Sequence, residues 1–460
     1  MTDTLFKKMS AATLVPPHVM PAAAPLPLWR FLPTFVRNPL ASLPASVYRE
    51  RFVQGVRGNS VWVTAPDLIE RLLLDNPAIG KTPLERRVFE HSLGDGILTS
   101  EGASWKWQRR TAAPLFRHAD LLALAPTMVD AASEQVAIWR ADAANSVQAI
   151  SRDMEATTFK IISRTIFAGA ADAEGEAIQR AGTTFLENIS WEIAFGIVGL
   201  PKWVWHPGKW PGRRAADEMR SAVASVLERR RAAGAEGNDI TARLIRARDP
   251  ETGAPMSDSQ LIDNLLTFLA AGHETTAKAL TWALYLLARA PEWQQKLHDE
   301  AISASGDHGL DARSLDALVL TKQVVKETMR LYPPAPVMTR ITLAPMRLDD
   351  AELPAGTTIV IPIYALHRHE KLWESPGTFD PVRFTPEREA KYARAQFMPF
   401  GFGPRICIGM SFAMIEATLL LATFVRAAQF GWDGAHLPEP VSRITLRPRG
   451  GMPLIVTIRK

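Results

Sequence analysis

Phe400-Gly401-Phe402-Gly403-Pro404-Arg405-Ile406-Cys407-Ile408-Gly409 is the stretch on which the reading of this chain turns. Cys407 is the single cysteine among 460 residues, so an internal disulfide, a thiolate zinc cluster and a Cys-x-x-Cys attachment site are all excluded. A lone cysteine is most often a small buried hydrophobe. The residues around it argue for more. Gly401 and Gly403 permit a tight turn, and Cys407 falls at the expected start of a helix, where backbone N–H groups and the helix dipole stabilise a thiolate. Gly409, two residues on, removes the side chain that would block a flat ligand.

Upstream, Ser257 to Ala290 reads as the longest helix. Ser257 with Gln260 forms a capping-box signature and Pro291 closes the far end. At 1.5 Å per residue such a helix is about 50 Å long. It is apolar on several faces (Leu261, Leu265, Phe268, Leu269, Leu280, Leu284, Leu287), as a central buried helix is. Near its middle lies Ala271-Gly272-His273-Glu274-Thr275-Thr276, where a hydroxyl that bonds back to a carbonyl opens the helix locally. Glu327 and Arg330 are three residues apart on one helical face, followed by Leu331-Tyr332-Pro333-Pro334 and later by Pro381-Val382-Arg383-Phe384. Trp105 and Arg109 share a face at i, i+4 of a helix beginning at Trp105.

Away from these motifs the chain is mainly helical with a small β portion. Short strands are expected at Asn59–Thr64, Thr357–Ile363, around Ile444 and at Leu454–Ile458. Helices are expected at Pro66–Leu74 and Ile408–Ala428, with breaks at Pro201–Gly212 and Asp249–Gly253. No internal repeat or separating linker appears. The organisation is a proline-rich N-terminal arm, residues 1–44, and a single domain, 45–460. Lys7 and Lys8 resemble the start of a signal peptide, but Pro16, Pro17, Pro21, Pro25 and Pro27 interrupt the apolar run behind them, so neither a signal core nor an integral membrane span is expected. Trp29, Phe31 and Phe35 are expected to pin the arm to the body, with contact to a membrane surface as the alternative. The net charge of +5 is too diffuse to argue for nucleic acid. A cytoplasmic protein is expected.

The cysteine stretch resembles the haem-binding loop of the cytochrome P450 family, Phe-x-x-Gly-x-Arg-x-Cys-x-Gly, at every fixed position, and the other motifs follow in family order over residues 45–460. The resemblance implies the P450 fold, with the long helix over b-type haem and Cys407 as axial thiolate to iron. It implies further that Phe400, Gly401 and Gly409 form the cofactor loop. Trp105, Arg109, Arg405 and Arg340 would hold the haem propionates. Glu327, Arg330 and Arg383 would form a buried structural network. Glu274 and Thr275 become the acid and the alcohol of a proton relay. His273 has no counterpart there and is expected to pack. His367 and Arg368 resemble a His-Arg pair on the haem side of the fold.

The activity so implied is a monooxygenase that inserts one atom of dioxygen into a hydrophobic molecule by hydroxylation or epoxidation. Electrons would come from a separate ferredoxin or flavodoxin with its NAD(P)H reductase, docking near Lys391, Arg394 and Arg405. Ile97, Leu98, Ala270, Ala271, Val337 and Met338 are the expected pocket residues, roofed by Phe185–Phe195. Two rivals differ: a peroxide-driven or rearranging haem-thiolate enzyme, which the Glu274–Thr275 pair speaks against, and a non-catalytic haem-binding sensor.

Overall fold

The computed structural model describes residues 14–459 apart from 56–58, 75, 144, 168–171, 233, 235–238, 250 and 307. Lys7 and Lys8 lie outside the described residues. The central helix spans Asp258–Arg289, 32 residues. Ser257 Oγ accepts the Gln260 N–H at 3.3 Å and Gln260 Oε1 accepts the Ser257 N–H at 3.0 Å, so the capping box forms as expected. Helices Ile150–Phe167, Lys209–Ala232, Val319–Leu331 and Met410–Ala427 pack around it. Leu261, Leu265, Phe268, Leu269, Leu280, Leu284 and Leu287 are all buried against these neighbours.

The largest sheet has five short strands in the order Phe52–Gln54, Ser60–Val63, Thr358–Ile361, Met338–Thr342, Ile79–Gly80. The pairing of Ser60–Val63 with Thr358–Ile361 is parallel, with Val61 opposite Ile359, and the other pairings are antiparallel. Alternation along both strands turns Val61, Val63, Ile359 and Ile361 into a second core, shared with Leu68, Ile69 and Leu72 of the helix Pro66–Leu73. A three-stranded sheet joins Ser146–Ala149, Pro453–Ile458 and Ala428–Gly431, and a hairpin pairs Pro440–Ser442 with Leu446–Pro448. Two helix starts differ from the sequence reading. The helix bearing Trp105 begins earlier, at Gly102, and the last helix begins later, at Met410, which leaves Cys407 outside it.

The arm is fastened to the body, and residues the sequence did not single out take part. Tyr332 Oη donates to Pro17 O at 2.7 Å, Tyr364 Oη accepts the Val19 N–H at 3.0 Å, and Leu14 O accepts the Phe379 N–H at 2.9 Å. Trp29, Phe31 and Phe35 lie on the helix Leu28–Arg37. Phe31 and Phe35 lie against each other, tilted by 31° with 5.4 Å between centroids, whereas Trp29 projects into solvent. Among the described residues two stretches, His118–Ala141 and Met410–Ala427, are long and apolar enough to cross a membrane. The helices Ala125–Ala141 and Met410–Ala427 pack against each other, and the second is mostly buried, as core helices are.

Candidate active site

Tight turn geometry shapes the cysteine loop. Gly401 and Gly403 have φ of 76° and 79°, and a Cβ on Gly403 would lie 2.5 Å from Leu73 O, so no other residue fits there. Phe400 O accepts the Cys407 N–H at 2.9 Å, closing the loop on itself. Met398, just before it, donates its N–H to His367 Nε2 at 3.0 Å. The His367 ring is wholly buried and its pKa is pushed down to about 3 by that burial and by Arg330 and Arg368. It therefore stays a neutral acceptor bracing the loop.

The thiol itself departs from the sequence expectation. Burial pushes the Cys407 thiol up, and the Gly409 N–H and the Arg109 charge offset this only partly. Standing before the helix rather than in its first turn, Cys407 gains too little from backbone donors to ionise unaided. A bound metal ion would deprotonate it outright. Cys407 presents open surface even though its surroundings raise the pKa of its thiol by desolvation. A Cβ on Gly409 would stand 3.9 Å from Cys407 Sγ, crowding that opening.

A second open surface interrupts the central helix. Ala270 and Ala271 are exposed, between buried Leu269 and half-buried Gly272 and His273. Thr275, one turn on, is half-buried and donates its hydroxyl to Ala271 O at 2.7 Å, the back-bond expected from the sequence. Glu274 is buried and turned elsewhere. It accepts the Thr445 hydroxyl at 2.7 Å, from the turn of the C-terminal hairpin. His273 packs as expected, its Nδ1 2.9 Å from Leu269 O and its ring edge-on to Phe159.

Three buried or half-buried cations gather at one edge. Arg405 stacks over Trp105 with its guanidinium 4.3 Å from the ring centroid. Burial pulls the pKa values of Lys81, Arg340 and Arg405 down; Lys81 is pulled down further by Arg405 and Arg340, and Arg405 by Arg340. Glu85 and Glu101 compensate in part, and Lys81 Nζ also donates to Glu85 and to Leu98 O. Mutually repelling cations held out of water fit a ligand with two carboxylates. Arg109, half-buried, stands near Cys407. The sequence reading missed Lys81, which sits between a two-residue strand and a helix with no motif to mark it.

A family model described as cytochrome P450 matches residues 50–451. The chain belongs to the cytochrome P450 family. It is therefore an oxidoreductase of the P450 monooxygenase family, for which a haem held by a thiolate is implied. The chain is 31% identical to a cyclooctatin synthase of Streptomyces melanosporofaciens over 85% of its own length and 83% of that protein's. It is 30% identical to a cyclooctat-9-en-7-ol 5-monooxygenase of the same organism, over 78% and 77%. A cytokinin hydroxylase of Arabidopsis thaliana is 30% identical, over 86% and 78%, so the relatives include plant as well as bacterial P450s. The crystal structure of the cytochrome P450DA haem domain superposes with a TM-score of 0.83 at 23% identity, covering 97% of this chain and 99% of that one, which establishes the shared fold.

The remaining expected residues fall into place unevenly. Glu327, Arg330 and Arg383 do meet. Arg330 Nε and Nη2 donate to the two Glu327 oxygens at 2.7 and 2.8 Å, and its other N–H groups reach His367 O, Pro376 O and Thr378 O, each at 2.8 Å. Arg383 is the looser member, with Nε 3.6 Å from Glu327 Oε1. Arg368 lies over the Tyr364 ring at 3.9 Å. Of the expected pocket residues, Leu98, Ala270 and Ala271 are open, Val337 and Met338 are half-buried, and Ile97 is closed into the core. Phe195, at the end of the expected roof, turns to the His206 ring, 5.1 Å away, rather than hanging free. Arg405, expected also to attract a redox partner, is committed inward to Trp105, while Lys391 and Arg394 remain on the surface.

Glu416 escaped the sequence reading. It is the lone carboxylate of the last helix, fully buried, bonded to Thr276 of the central helix, and its pKa is pushed up to about 8 by burial. A single acid amid Phe412, Ile415 and Leu419 was the available signal.

Proposed function

We propose that this P450 carries b-type haem on Cys407 and inserts one atom of dioxygen into a hydrophobic small molecule, by hydroxylation or epoxidation. The observation that carries the reading is the closed cysteine loop, in which the Cys407 N–H meets Phe400 O while Cys407 itself stays exposed; we take exposed Ala270 and Ala271 to face the same site. When bound, thiolate-ligated haem supplies the activation of dioxygen, the sulfur's electron density favouring O–O cleavage.

The protein's own residues then divide the remaining tasks. Gly409 N–H and Arg109 support the sulfur of Cys407. Lys81, Arg340 and Arg405 would neutralise the propionates of the haem, and Trp105 orients Arg405 by stacking. Thr275 holds its hydroxyl at the open face of the central helix, tied to Ala271 O, and the Glu274 carboxyl stands one position away, accepting the Thr445 hydroxyl. For the two to act together, Glu274 must exchange its Thr445 bond for one toward Thr275 or a water between them. Ala270, Ala271, Leu98, Val337 and Met338 offer an apolar wall suited to a terpenoid, fatty acid or aromatic. A monooxygenase named for cyclooctat-9-en-7-ol among the relatives supports that class. Electrons arrive from a separate ferredoxin or flavodoxin with its NAD(P)H reductase, approaching Lys391 and Arg394. A single thiol that must stay reduced accords with a cytoplasmic location.

The test is spectroscopic. The reduced, carbonyl-treated holoprotein is expected to show the long-wavelength Soret band of thiolate-ligated haem, and Cys407→Ala is expected to lose it; a Cys407→Ala spectrum identical to the parent sinks the assignment. A lipophilic library should yield compounds that shift the haem from low to high spin. Product formation with reduced ferredoxin, and little with hydrogen peroxide alone, separates the reading from a peroxide-driven enzyme.

A further inference from the structure

Next to the saturated Glu327–Arg330 pair lies a second buried guanidinium with no acid to answer it. Arg368 is only 6% exposed, and among the described residues no carboxylate pairs with it. Glu327 is taken by Arg330 and Arg383, and Glu370, two residues along from Arg368, turns outward to Arg49 at 2.8 Å. Burial, Arg330 and Arg368 together hold the His367 pKa down at about 3, so the charge of Arg368 is felt there uncancelled. A buried ion without a counter-charge is costly and is normally found with a partner.

The surroundings of Arg368 are aromatic and rich in donors. Its guanidinium carbon stands 3.9 Å from the Tyr364 ring centroid and 5.7 Å from that of Tyr332. Tyr48 belongs to the same cluster: burial and Tyr364 push its phenol up, and the Arg368 charge pulls it down. Ring faces answer part of a cation's charge, but they accept nothing from N–H groups that lie in the guanidinium plane. Arg368 Nε and Nη1 are both buried without a hydrogen-bond partner, and so is Tyr48 Oη. Tyr364 Oη accepts the Val19 N–H at 3.0 Å and, among the described residues, has no acceptor for its own hydrogen. Of the three phenols only Tyr332 donates, to Pro17 O at 2.7 Å.

Donor and acceptor chemistry selects the ligand. The Arg368 Nε–H and Nη1–H and the hydroxyls of Tyr48 and Tyr364 are buried donors in one cluster that offers them no acceptor. A water molecule accepts from some of them, yet it brings two hydrogens of its own and leaves the positive charge standing. An anion accepts from several donors, brings none, and cancels the charge. Tyr48, Tyr332, Tyr364 and Arg368 are all buried, and the N-terminal arm lies over two of the phenols through Pro17 and Val19, so the occupant is of monatomic size.

We propose that a chloride-sized anion binds between the Arg368 guanidinium and the hydroxyls of Tyr48 and Tyr364 as their counter-ion. The test needs no turnover. For holoprotein dialysed into sodium gluconate, replacing gluconate by chloride or bromide at constant ionic strength is expected to raise the thermal midpoint saturably, because a ligand of the folded state stabilises it by mass action. Tyr48→Phe removes one donor and keeps the ring, and is expected to raise the halide concentration for half effect about tenfold. Arg368→Gln should abolish the response. Crystals soaked in bromide are expected to show an anomalous peak in contact with Arg368 and Tyr48 Oη. A midpoint blind to the choice of anion overturns the proposal, as does a halide response unaltered in Tyr48→Phe. Bromide found only on the surface overturns it too, since water alone then meets these donors.

Discussion

Beneath the cysteine loop and behind the central helix lie two buried acidic centres that solve burial in opposite ways. Around Glu327 the charge is kept and saturated. Arg330 spends all five of its N–H groups, two on the carboxylate and three on carbonyls, and the Asp380 N–H adds another donor at 2.9 Å. Around Glu416 the charge is given up. One of its oxygens has no partner, and burial holds the carboxyl protonated at neutral pH. A saturated ion cluster can do nothing but hold its shape. A half-satisfied neutral acid next to the helix that carries Glu274 and Thr275 retains a proton and a free acceptor, and such residues concentrate where chemistry occurs.

The largest effect should come from breaking the saturated side. Arg330→Ala leaves buried Glu327 with only the distant Arg383 as counter-charge and is expected to cost about 3–5 kcal/mol, read by denaturant unfolding and by the yield of haem-loaded protein. Survival of full stability would show that the ion cluster is ornamental.

Next in size are two pH effects of opposite sign. Glu416, near 8 in the folded protein against an ordinary 4.5, keeps its proton where the unfolded chain has lost it, so stability falls as pH rises from about 5 to 8. Glu416→Gln should remove that fall and gain on the parent by roughly 3–4 kcal/mol at most over this range, measured as the difference in unfolding free energy at the two ends. His367 acts the other way. Held near 3 against an ordinary 6.5, it refuses a proton that the unfolded chain accepts, so stability drains as pH falls from 6.5 toward 3, and the Met398 bond goes with it. Unfolding midpoints that do not decline on the acid side would contradict this.

Smaller again is Arg383→Ala. Its ion pair is long and its two bonds, to Ser375 O and Thr378 Oγ1, are each 3.0 Å, so a loss of about 1–3 kcal/mol is expected, clearly less than for Arg330. Smallest in stability is Thr275→Val, which exchanges a hydroxyl for a methyl and should change unfolding free energy by less than about 1 kcal/mol. Its effect is expected in coupling: less product for each NAD(P)H consumed. A destabilisation as large as that of Arg330→Ala would erase the distinction between the two centres.

What the sequence revealed follows the range of the interactions. The cysteine loop, the capping box at Ser257 and the Glu327–Arg330 pair are local, and their residues announce their geometry within four or ten positions. The Glu274–Thr445 bond spans 171 residues, and nothing near Glu274 foretells it. The ionisation of Glu416 depends on what closes over it, as does the mutual repulsion of Lys81, Arg340 and Arg405. The helix dipole was credited with the Cys407 thiolate, yet desolvation outweighs it once the helix is seen to start at Met410. The break at Pro201–Gly212 was legible as a break, but the contact that fastens its His206 comes from Glu192, backed by Arg87, on other elements.

The grip of Tyr332 and Tyr364 on Pro17 and Val19 has a consequence for biosynthesis. The segment around Pro17 and Val19 is made long before these two bonds can form, since both phenols that receive it come more than 300 residues later. Removing it afterwards would bare two hydroxyls in the interior, so clipping there should register in the heart of the molecule.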